Sequence, residues 1–525
     1  MVATAREELI FIAPRLSPRA PGCGQAITHA RLILRLRRRV KRIAIAARVR
    51  YASGMHRFLL LLLVCALTAR AAERPPNIIF VLADDLGYGE IGCQGQRLIA
   101  TPNIDRMARE GMRFPQFYAG NTVCGPSRCT LLTGKHNGHA QIRGNIGVKL
   151  PGAILQPEDT TVAEVLKRAG YATACIGKWG LGTVGSTGVP VKKGFDYFLG
   201  YLDHVHAHNP YTEFLYRGEE RVWLKNKQFR DGKTDADNGA GVAEWKGEYV
   251  PDLLTAEALQ WVGQNKERPF FLYWSLITPH ANNEATRRTG NGGEVPDLGD
   301  YKERDWTEQA KAHAAIISRL DADLGRMLGL LKELGLDDNT LVIFTSDNGH
   351  HNEAGHDPAF FNEGGPLRGF KRAMYEGGVR IPFIARWPGK VRAGAEAAHV
   401  GYFGDFLATA ADLAHVEVPA NLDSISFAPT LLGHDAGQKN HDFLYWEFHE
   451  KGFSQAALMD DHWKAVRNLR HDAPLELYDL TSDLGETRNV AAEHPDITAK
   501  LDAYLRTART DAPDYPIKDA PAKTP

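Results

Sequence analysis

The stretch Asn77-Ile78-Ile79-Phe80-Val81-Leu82, followed by Ala83-Asp84-Asp85, indicates the fold. Its almost continuous apolar run is typical of a strand that is buried on both faces, as in a parallel sheet covered by helices. The two carboxylates that follow are significant because open α/β sheets bind ligands just beyond the carboxyl ends of their strands. This stretch therefore predicts a buried strand that ends at a polar site.

Three more short apolar runs lead to polar or charged residues in the same way. These runs are 172–176 before Lys178, 270–274 before His280, and 341–344 before Asp347 and Asn348. Between the last two runs, residues 306–334 repeat isoleucine and leucine at three- and four-residue steps, which predicts a long amphipathic helix. The sequence thus predicts an α/β fold, a large, mostly parallel sheet flanked by helices, with four strand ends at one rim.

The C-terminal part of the chain has a different pattern. From about residue 410, short strand-like pieces alternate with turn-like breaks, and a helix is expected over residues 495–508. We predict a catalytic domain over residues 73–409 and a smaller subdomain with an antiparallel sheet over residues 410–510. The tail, residues 511–525, is rich in Pro, Asp, Lys and Ala, which predicts disorder.

The N-terminal part differs in charge from the rest. Residues 1–71 contain 14 lysines and arginines but two acidic residues, and the remainder has 49 basic against 61 acidic residues, a net charge of −12. A chain of that sign is a poor candidate for binding nucleic acid or anionic lipid, which require a basic surface.

The same N-terminal part resembles a targeting segment. Residues 1–54 are rich in arginine without helical or strand periodicity, and we expect them to be an upstream extension before a true start at Met55. Residues 55–71 combine a charged start, a short apolar run and Ala69-Arg70-Ala71, which predicts a cleaved signal peptide. The alternative is a membrane anchor, for which the run is short. We expect a periplasmic or secreted protein with no membrane contact after cleavage.

The cysteines do not form a recognisable framework. Of the six cysteines, Cys23 and Cys65 lie in the segment that is expected to be removed. The remaining four are too few for a disulfide scaffold in a chain of this size and lack zinc-type spacing. A disulfide that involves Cys93 or Cys175 is one alternative in an oxidising compartment. Cys124 requires another explanation.

That explanation lies in Cys124-Gly125-Pro126-Ser127-Arg128, which precedes Leu131-Leu132-Thr133-Gly134-Lys135. The pentapeptide resembles the signature of the formylglycine-dependent type I sulfatases, the arylsulfatase A-like members of the alkaline phosphatase superfamily. The resemblance extends over most of residues 75–500. Its other matching stretches are 84–89, 101–105, 177–179, 346–349, 375–378 and 476–480.

The resemblance implies a mechanism. In that family a formylglycine-generating enzyme oxidises the cysteine to an aldehyde, whose hydrated form attacks sulfur and then expels sulfate. It implies that Cys124 becomes the nucleophile and that Arg128 steadies the diol. Lys178 and Lys371 match lysines that bind the sulfate or bridging oxygens. His280 matches a histidine suited to protonating the leaving alkoxide.

The resemblance also implies a metal site. Asp84, Asp85, Asp347 and Asn348 match the calcium ligands of the family, together with the oxygen that derives from Cys124. An all-oxygen set with three carboxylates suits a hard dication, so calcium is expected and magnesium is the alternative. The cation would hold a sulfate oxygen beside the nucleophile.

One departure from the family pattern concerns the end of the second strand. Many members read Gly-Lys-Trp-His there, and that histidine orients the nucleophile, whereas this chain reads Gly177-Lys178-Trp179-Gly180. Either another histidine replaces it or this subgroup works without it. The candidate replacements are His136, His139, His206 and His208.

The substrate is predicted with less detail. Several polar residues lie near the catalytic segments in sequence and could bond sugar hydroxyls. The candidate substrate-binding residues are His208, Arg143, Asn282 and His350, and Asn145, Asn283 and His351 also lie near these segments. We expect hydrolysis of sulfate monoesters on carbohydrate, of sulfated galactose or hexosamine type, rather than of aryl sulfates. The alternatives are a phosphonate monoester or phosphodiester hydrolase on the same scaffold and a non-catalytic carbohydrate-binding relative.

Overall fold

The computed structural model describes residues 74–145, 150–230 and 238–521. The predicted upstream extension and signal peptide, residues 1–71, lie outside the described residues. No helix within the described ranges has the length and apolar character needed to cross a membrane.

The strands belong to one large sheet and three smaller ones. They are β1 Asn77–Asp84, β2 Met112–Arg113, β3 Phe117–Tyr118, β4 Ala172–Lys178, β5 Tyr197–Tyr201, β6 Phe214–Arg217, β7 Glu220–Trp223, β8 Lys227–Gln228, β9 Ala243–Trp245, β10 Phe270–Pro279, β11 Thr340–Ser346, β12 Phe383–Arg386, β13 Ala395–Glu396, β14 Gly401–Tyr402, β15 Phe443–Phe448, β16 Ser454–Met459, β17 Trp463–Arg467 and β18 Glu476–Asp479.

The α-helices connect and cover these strands. They are α1 Pro102–Glu110, α2 Cys124–Thr133, α3 Val162–Arg168, α4 Val250–Asn265, α5 Asn283–Thr289, α6 Glu308–Glu333, α7 Pro358–Phe361, α8 Glu376–Val379, α9 Asp405–Leu413, α10 Ala428–Leu431 and α11 Pro495–Thr507.

The large sheet has ten strands in the order β13-β2-β12-β11-β1-β10-β4-β5-β6-β7. The neighbours from β11 to β5 run parallel, and antiparallel pairs begin at β12 on one side and at β6 on the other. The four predicted strands are β1, β4, β10 and β11, which lie side by side in the middle. Their carboxyl ends therefore meet at one rim, as the sequence predicts.

Each face of this sheet is covered by helices. Along β1, Ile78 and Phe80 belong to a core with α2, α3 and α9, whereas Ile79 and Val81 belong to a core with α1, α4 and α6. Successive side chains of a strand point to opposite faces, so an unbroken apolar run is required where both faces are covered. The predicted mostly parallel sheet with helices on both faces is confirmed.

The C-terminal subdomain is an antiparallel sheet in the order β15-β16-β17-β18, with α11 packed against it. The helices α9 and α10 belong to the core of the large sheet. The small sheet itself begins at Phe443.

The prediction of disorder is wrong for residues 511–521. The ring of Tyr515 is buried, and its hydroxyl donates hydrogen bonds to the carbonyl oxygens of Gly144 and Gly152 at 3.1 and 2.8 Å. The backbone N–H of Ala520 donates to the carbonyl oxygen of Leu469. One buried aromatic side chain and these bonds offset the polar composition of the segment, whose last residues, 522–525, lie outside the described ranges.

Candidate active site

The rim begins where β1 and β11 end. The parallel register pairs Ala83 with Ser346, so the residues that follow on the two strands are neighbours. Asp85 has a left-handed φ of 65°, and its backbone N–H donates to Oδ1 of Asp347 at 3.1 Å. The side chains of Asp84 and Asp347 are fully buried at this point. Two strand ends thus deliver carboxylates to one location.

Cys124 lies at the N-terminus of α2 and points into the same location. Its Sγ atom and carboxylate oxygens of Asp84 and Asp347 all lie within 4.8 Å of one another. Nδ2 of Asn145 donates to this Sγ at 3.4 Å. The predicted grouping of residue 124 with the strand-end acids is therefore present.

Arg128 lies one helical turn after Cys124 and is completely buried. Its Nε and Nη2 atoms donate to Oδ2 of Asp347 at 2.9 and 2.7 Å, and its Nη1 donates to the carbonyl oxygen of Lys178 at 2.9 Å. Burial, followed by the charge of Asp84, raises the pKa of Asp347 to about 7. The contacts of Arg128 therefore fix the carboxylate beside the nucleophile position.

Two lysines complete the charged rim. Nζ of Lys178 donates to Oδ2 of Asp84 at 2.7 Å, and Nζ of Lys371 donates to Oδ2 of Asp85 at 2.8 Å. Burial alone would lower the pKa of both lysines, but the carboxylate next to each outweighs it and raises the pKa above its ordinary value. Both ammonium groups therefore stay charged in a site without bulk water.

His280 is held between a carbonyl group and Lys371. Its Nδ1 atom lies 2.7 Å from the carbonyl oxygen of Ala281, and its Nε2 atom lies 3.1 Å from Nζ of Lys371. Burial, followed by the charge of Lys371, lowers the pKa of His280 well below its ordinary value. With the ring neutral, Nδ1 is the donor to Ala281 and Nε2 accepts from Lys371; the general-acid role of His280 stays a prediction.

The residues of the rim fit a dication with oxygen ligands. Nδ2 of Asn348 donates to Oδ1 of Asp85 at 2.6 Å, which turns the amide oxygen of Asn348 in another direction. That oxygen and Oδ1 of Asp84 are buried and have no hydrogen-bond partner among the described residues. Buried oxygen atoms of this kind are costly unless a cation or a donor satisfies them. The donor set is the one that calcium or magnesium prefers.

Of the predicted substrate-binding residues, His208 lies at the rim. Its ring stacks on that of His280 with centroids 4.8 Å apart, and its Nδ1 atom lies 3.2 Å from a carboxylate oxygen of Glu284. Stacking on the ring that contacts Lys371 places His208 on the outer side of the site.

The structure corrects three of these predictions. Arg143 is buried and donates to the backbone oxygen and the hydroxyl of Thr510. Asn282 caps α5 and donates to Glu294, and His350 is buried against Phe370 behind the rim. Arg143 and Asn282 are engaged in structural bonds, which sequence proximity to the motifs could not distinguish from substrate contacts.

The structure also identifies a histidine that faces Gly180, the position where family members carry one. Gly180 has a φ of 81°, which L side chains rarely adopt, and a Cβ atom added there would lie 3.9 Å from Cβ of His204. Burial, followed by the charges of Lys178, His208 and Lys371, lowers the pKa of His204 to about 3. His204 therefore lies among the cations of the rim.

The four predicted replacements for that histidine lie elsewhere or face another residue. His136 and His139 stack on each other beside Asp423, and His206 bonds Thr212 in a buried position. Sequence reasoning overlooked His204 although it belongs to the same histidine-rich segment, because only the backbone path shows which member faces position 180.

A cavity of about 550 Å³ borders the rim on the side of Lys371. It lies between the segment that carries Lys371 and the small C-terminal sheet, and Glu353, Phe370, Arg372 and Glu450 contribute to its walls. Nη1 of Arg372 donates to Glu353 at 2.7 Å, and Glu353 accepts a second bond from Lys371. The cavity therefore connects to the charged rim through shared hydrogen bonds.

The cysteines in the described ranges, Cys93, Cys124, Cys129 and Cys175, are all free thiols. The alternative of a disulfide at Cys93 or Cys175 is therefore not realised among these four cysteines.

Comparison with known proteins identifies the family. The family described as Sulfatase matches residues 76–416. The chain belongs to the sulfatase family. A second family description, N-sulphoglucosamine sulphohydrolase, C-terminal, matches residues 368–511 of this sulfatase. The protein is therefore a sulfuric ester hydrolase.

Named relatives and a solved structure agree with this result. N-acetylgalactosamine-6-O-sulfatase of Bacteroides thetaiotaomicron is 31% identical over 503 residues, covering 83% of this chain and 94% of its own length. Human arylsulfatase A is 31% identical over 512 residues, covering 87% and 92%. The crystal structure of Ps i-CgsB superposes with a TM-score of 0.69 at 26% identity, covering 83% and 93%. The predicted arylsulfatase A-like family and alkaline-phosphatase-like fold are confirmed.

Proposed function

We propose that this sulfatase hydrolyses sulfate monoesters on carbohydrates, with a formylglycine derived from Cys124 and a calcium ion at the rim. One observation supports the proposal most directly: Sγ of Cys124 lies within 4.8 Å of carboxylate oxygens of Asp84 and Asp347. A nucleophile and a cation site in that arrangement would meet the same sulfuryl group.

Asp84, Asp85, Asp347 and Asn348 would hold the calcium ion, with magnesium as the alternative. When bound, the ion would supply positive charge beside a sulfate oxygen, and hydrated formylglycine would supply the attacking hydroxyl. Oδ1 of Asp84 and the amide oxygen of Asn348, buried and without a hydrogen-bond partner among the described residues, support a cation at this position.

The charges of the rim favour an anionic substrate. The three carboxylates are offset by three cations of the chain, Arg128, Lys178 and Lys371. A dication added to this balanced set leaves an excess of positive charge in a buried site, which attracts a sulfate ester. Lys178 would contact a sulfate oxygen and Lys371 the bridging oxygen, since Arg128 is engaged with Asp347.

The leaving group would receive its proton from Lys371. Nζ of Lys371 lies 3.1 Å from the accepting Nε2 of neutral His280, which orients the ammonium group. A sugar alkoxide is a stronger base than an amine, so the ammonium proton transfers to the leaving oxygen as the S–O bond breaks. Lys371 then regains a proton from solvent.

The expectation of a carbohydrate substrate is supported by the cavity and by the relatives. A volume of about 550 Å³ falls in the range of small-ligand pockets, and its charged walls offer hydrogen bonds to hydroxyl groups. N-acetylgalactosamine-6-O-sulfatase is named for a sulfated hexosamine, and Ps i-CgsB was solved in complex with k-i-k-neocarrahexaose. We expect a sulfated galactose or hexosamine.

Two measurements test this function. Mass spectrometry of the peptide that contains Cys124, from protein made with a formylglycine-generating enzyme, is expected to show the mass of the aldehyde. Sulfate release should be faster from sulfated galactose or hexosamine oligosaccharides than from aryl sulfates, phosphonate monoesters or phosphodiesters. A retained thiol in active protein, or a preference for the phosphorus esters, would contradict the proposal.

We also propose that the protein is exported to the periplasm or beyond. The sequence of residues 55–71 and the net charge of −12 that remains without residues 1–71 support this. N-terminal sequencing of protein made from Met55 in a bacterial host should show cleavage after Ala71, and an intact Met55 terminus would refute it.

A further inference from the structure

A second buried cluster of metal-binding residue types lies behind the rim. It consists of Glu90, His313, His356 and Glu363, and each of these residues is at most 7% exposed. Glu90 follows β1, His313 is on the long helix α6, and His356 and Glu363 flank α7. None of the four belongs to the catalytic set described above.

Three donor atoms of this cluster lie close to one another, and the fourth, from Glu90, contacts His313. Nε2 of His313 lies 2.5 Å from Oε1 of Glu90 and 3.5 Å from Oε1 of Glu363, while Nε2 of His356 lies 2.5 Å from Oε1 of Glu363. The donor atoms of His313, His356 and Glu363 all lie within 4.8 Å of one another. Ligand atoms around a tetrahedral zinc ion lie about 3.3 Å apart, so shifts of less than about 1 Å would admit an ion.

The arrangement of the two rings supports convergence. The imidazoles of His313 and His356 stack with centroids 4.0 Å apart and an interplanar angle of 22°. Both present Nε2 to the carboxylates, so the two nitrogen donors reach the same centre from adjacent positions. An imidazole pair that merely filled apolar space would have no reason to direct both Nε2 atoms at carboxylates.

Unsatisfied atoms give an independent reason to expect a ligand. Oε2 of Glu363 is buried and has no hydrogen-bond partner among the described residues. The two buried carboxyl groups, beside two imidazoles, also lack a permanent positive charge within the cluster. A divalent ion would balance both carboxylates and occupy the free oxygen.

We propose that Glu90, His313, His356 and Glu363 bind a divalent transition-metal ion of the zinc type. Two imidazole nitrogens and two carboxylates suit zinc, whereas calcium and magnesium prefer oxygen ligands alone. The chain would thus hold two different metal ions: a hard one at the rim and a borderline one behind it.

The second ion would hold chain segments in place and would not take part in the reaction. Glu90 also accepts from the backbone N–H of Gly87 through Oε2, and the N–H of Gly89 donates to the carbonyl oxygen of Glu363 at 2.8 Å. The site thus joins the turn after Asp85 to the segment that continues to Lys371. An ion there would hold the two chain segments whose side chains pair at 2.8 Å in the rim.

The direct test is metal binding to the full-length protein. The protein is freed of metal by chelator, saturated with calcium to fill the oxygen site, and titrated with zinc and, separately, with cobalt. We expect about one tight equivalent of zinc per chain, and a cobalt spectrum of four-coordinate type rather than six-coordinate type. Absence of a tight equivalent, or a six-coordinate cobalt spectrum, would overturn the proposal.

Matched variants locate the ion. Glu363→Gln and His313→Gln should each lose the zinc equivalent while retaining calcium binding, and His139→Gln should retain both. His139 is the proper control because it also lies beside a histidine and a carboxylate, His136 and Asp423, but is partly exposed. Loss of zinc in His139→Gln, or its retention in Glu363→Gln, would place the ion elsewhere. The titration of the wild-type protein does not depend on how the variants fold.

Discussion

The two sides of the catalytic rim are built in different ways. On one side, Arg128 and Lys178 are buried by regular structure, the first turns of α2 and the end of β4. On the other side, Lys371 lies in a loop and borders a cavity of about 550 Å³, and His280, just beyond the end of β10, contacts Lys371. The comparison suggests a division of tasks: the regular side fixes the nucleophile and the sulfuryl group, and the loop side meets the alcohol.

The largest effect is expected where both sides meet. Cys124→Ala should lower the rate of sulfate release on the order of 10⁴-fold or more, because the nucleophile is lost. The thermal midpoint should change little, since one sulfur atom is removed from the N-terminus of a helix. Activity that survives this change, measured as sulfate released from a sulfated sugar, would contradict the proposed chemistry for both sides.

The regular side is expected to be structural as well as functional. Arg128→Ala leaves the buried carboxylate of Asp347 without its ion-pair partner, whereas Asp84 keeps its bond from Lys178. The variant should therefore lose activity and lower the free energy of unfolding by about 3–5 kcal/mol. Denaturant titration followed by circular dichroism measures this.

Arg386→Ala is the matched control for Arg128. Arg386 is also buried and pairs with Asp337 and Glu110, at 2.6 and 2.7 Å, but on β12. The Arg386→Ala variant should have a lower free energy of unfolding, and the protein that remains folded should retain its kcat. Equal losses of kcat in both variants would show that general destabilisation explains the result at Arg128.

The loop side should show a dependence on the leaving group. Lys371→Ala should lower kcat about 100-fold for a sulfated sugar but much less for nitrophenyl sulfate, whose phenolate leaves without a proton. Lys178→Ala, which removes the cation of the regular side, should lower kcat for both substrates by a similar factor. For each variant, the loss of kcat with the sulfated sugar is divided by the loss with nitrophenyl sulfate. If this ratio is the same for Lys371→Ala and Lys178→Ala, the division of tasks is wrong.

The same division explains what the sequence could predict. Asp84, Asp347 and Lys178 follow apolar runs, and parallel strands bring their ends together by geometry alone. Cys124 and Arg128 lie four residues apart on one helix, so their shared location follows from the helical repeat. The order of the ten strands and the pairing of Glu90 with His313 depend on contacts between distant segments, which local patterns do not specify.

Side chains in loops and at helix ends were harder to predict, for the same reason. Arg143 and Asn282 are near catalytic motifs in sequence, yet their side chains turn toward Thr510 and Glu294. Conversely, Tyr515 in a polar tail is buried, because a single aromatic ring can anchor a segment whose average composition predicts disorder. Residue type and sequence proximity do not determine the direction of a loop side chain.

The smallest effect is expected at His204, where the two sides adjoin. Its Cβ atom lies over Gly180, next to Lys178 of the regular side, so we expect it to occupy the space of the family histidine. His204→Ala should lower kcat about tenfold, as loss of a positioning residue commonly does, with little change in KM. His139→Ala, which removes a more exposed histidine beside Asp423, should leave kcat unchanged.

Reintroducing the family histidine sharpens this test. Gly180→His in the His204→Ala background fills the same space, but the φ of 81° at position 180 strains any residue with a Cβ atom, at a cost of about 1–2 kcal/mol. Partial recovery of kcat together with a lower thermal midpoint would show that the imidazole, rather than the loop path, is what the site requires. Unchanged kcat in His204→Ala alone would show that this sulfatase works without a histidine at that position, and the regular side would then orient the nucleophile through Asn145 and Arg128.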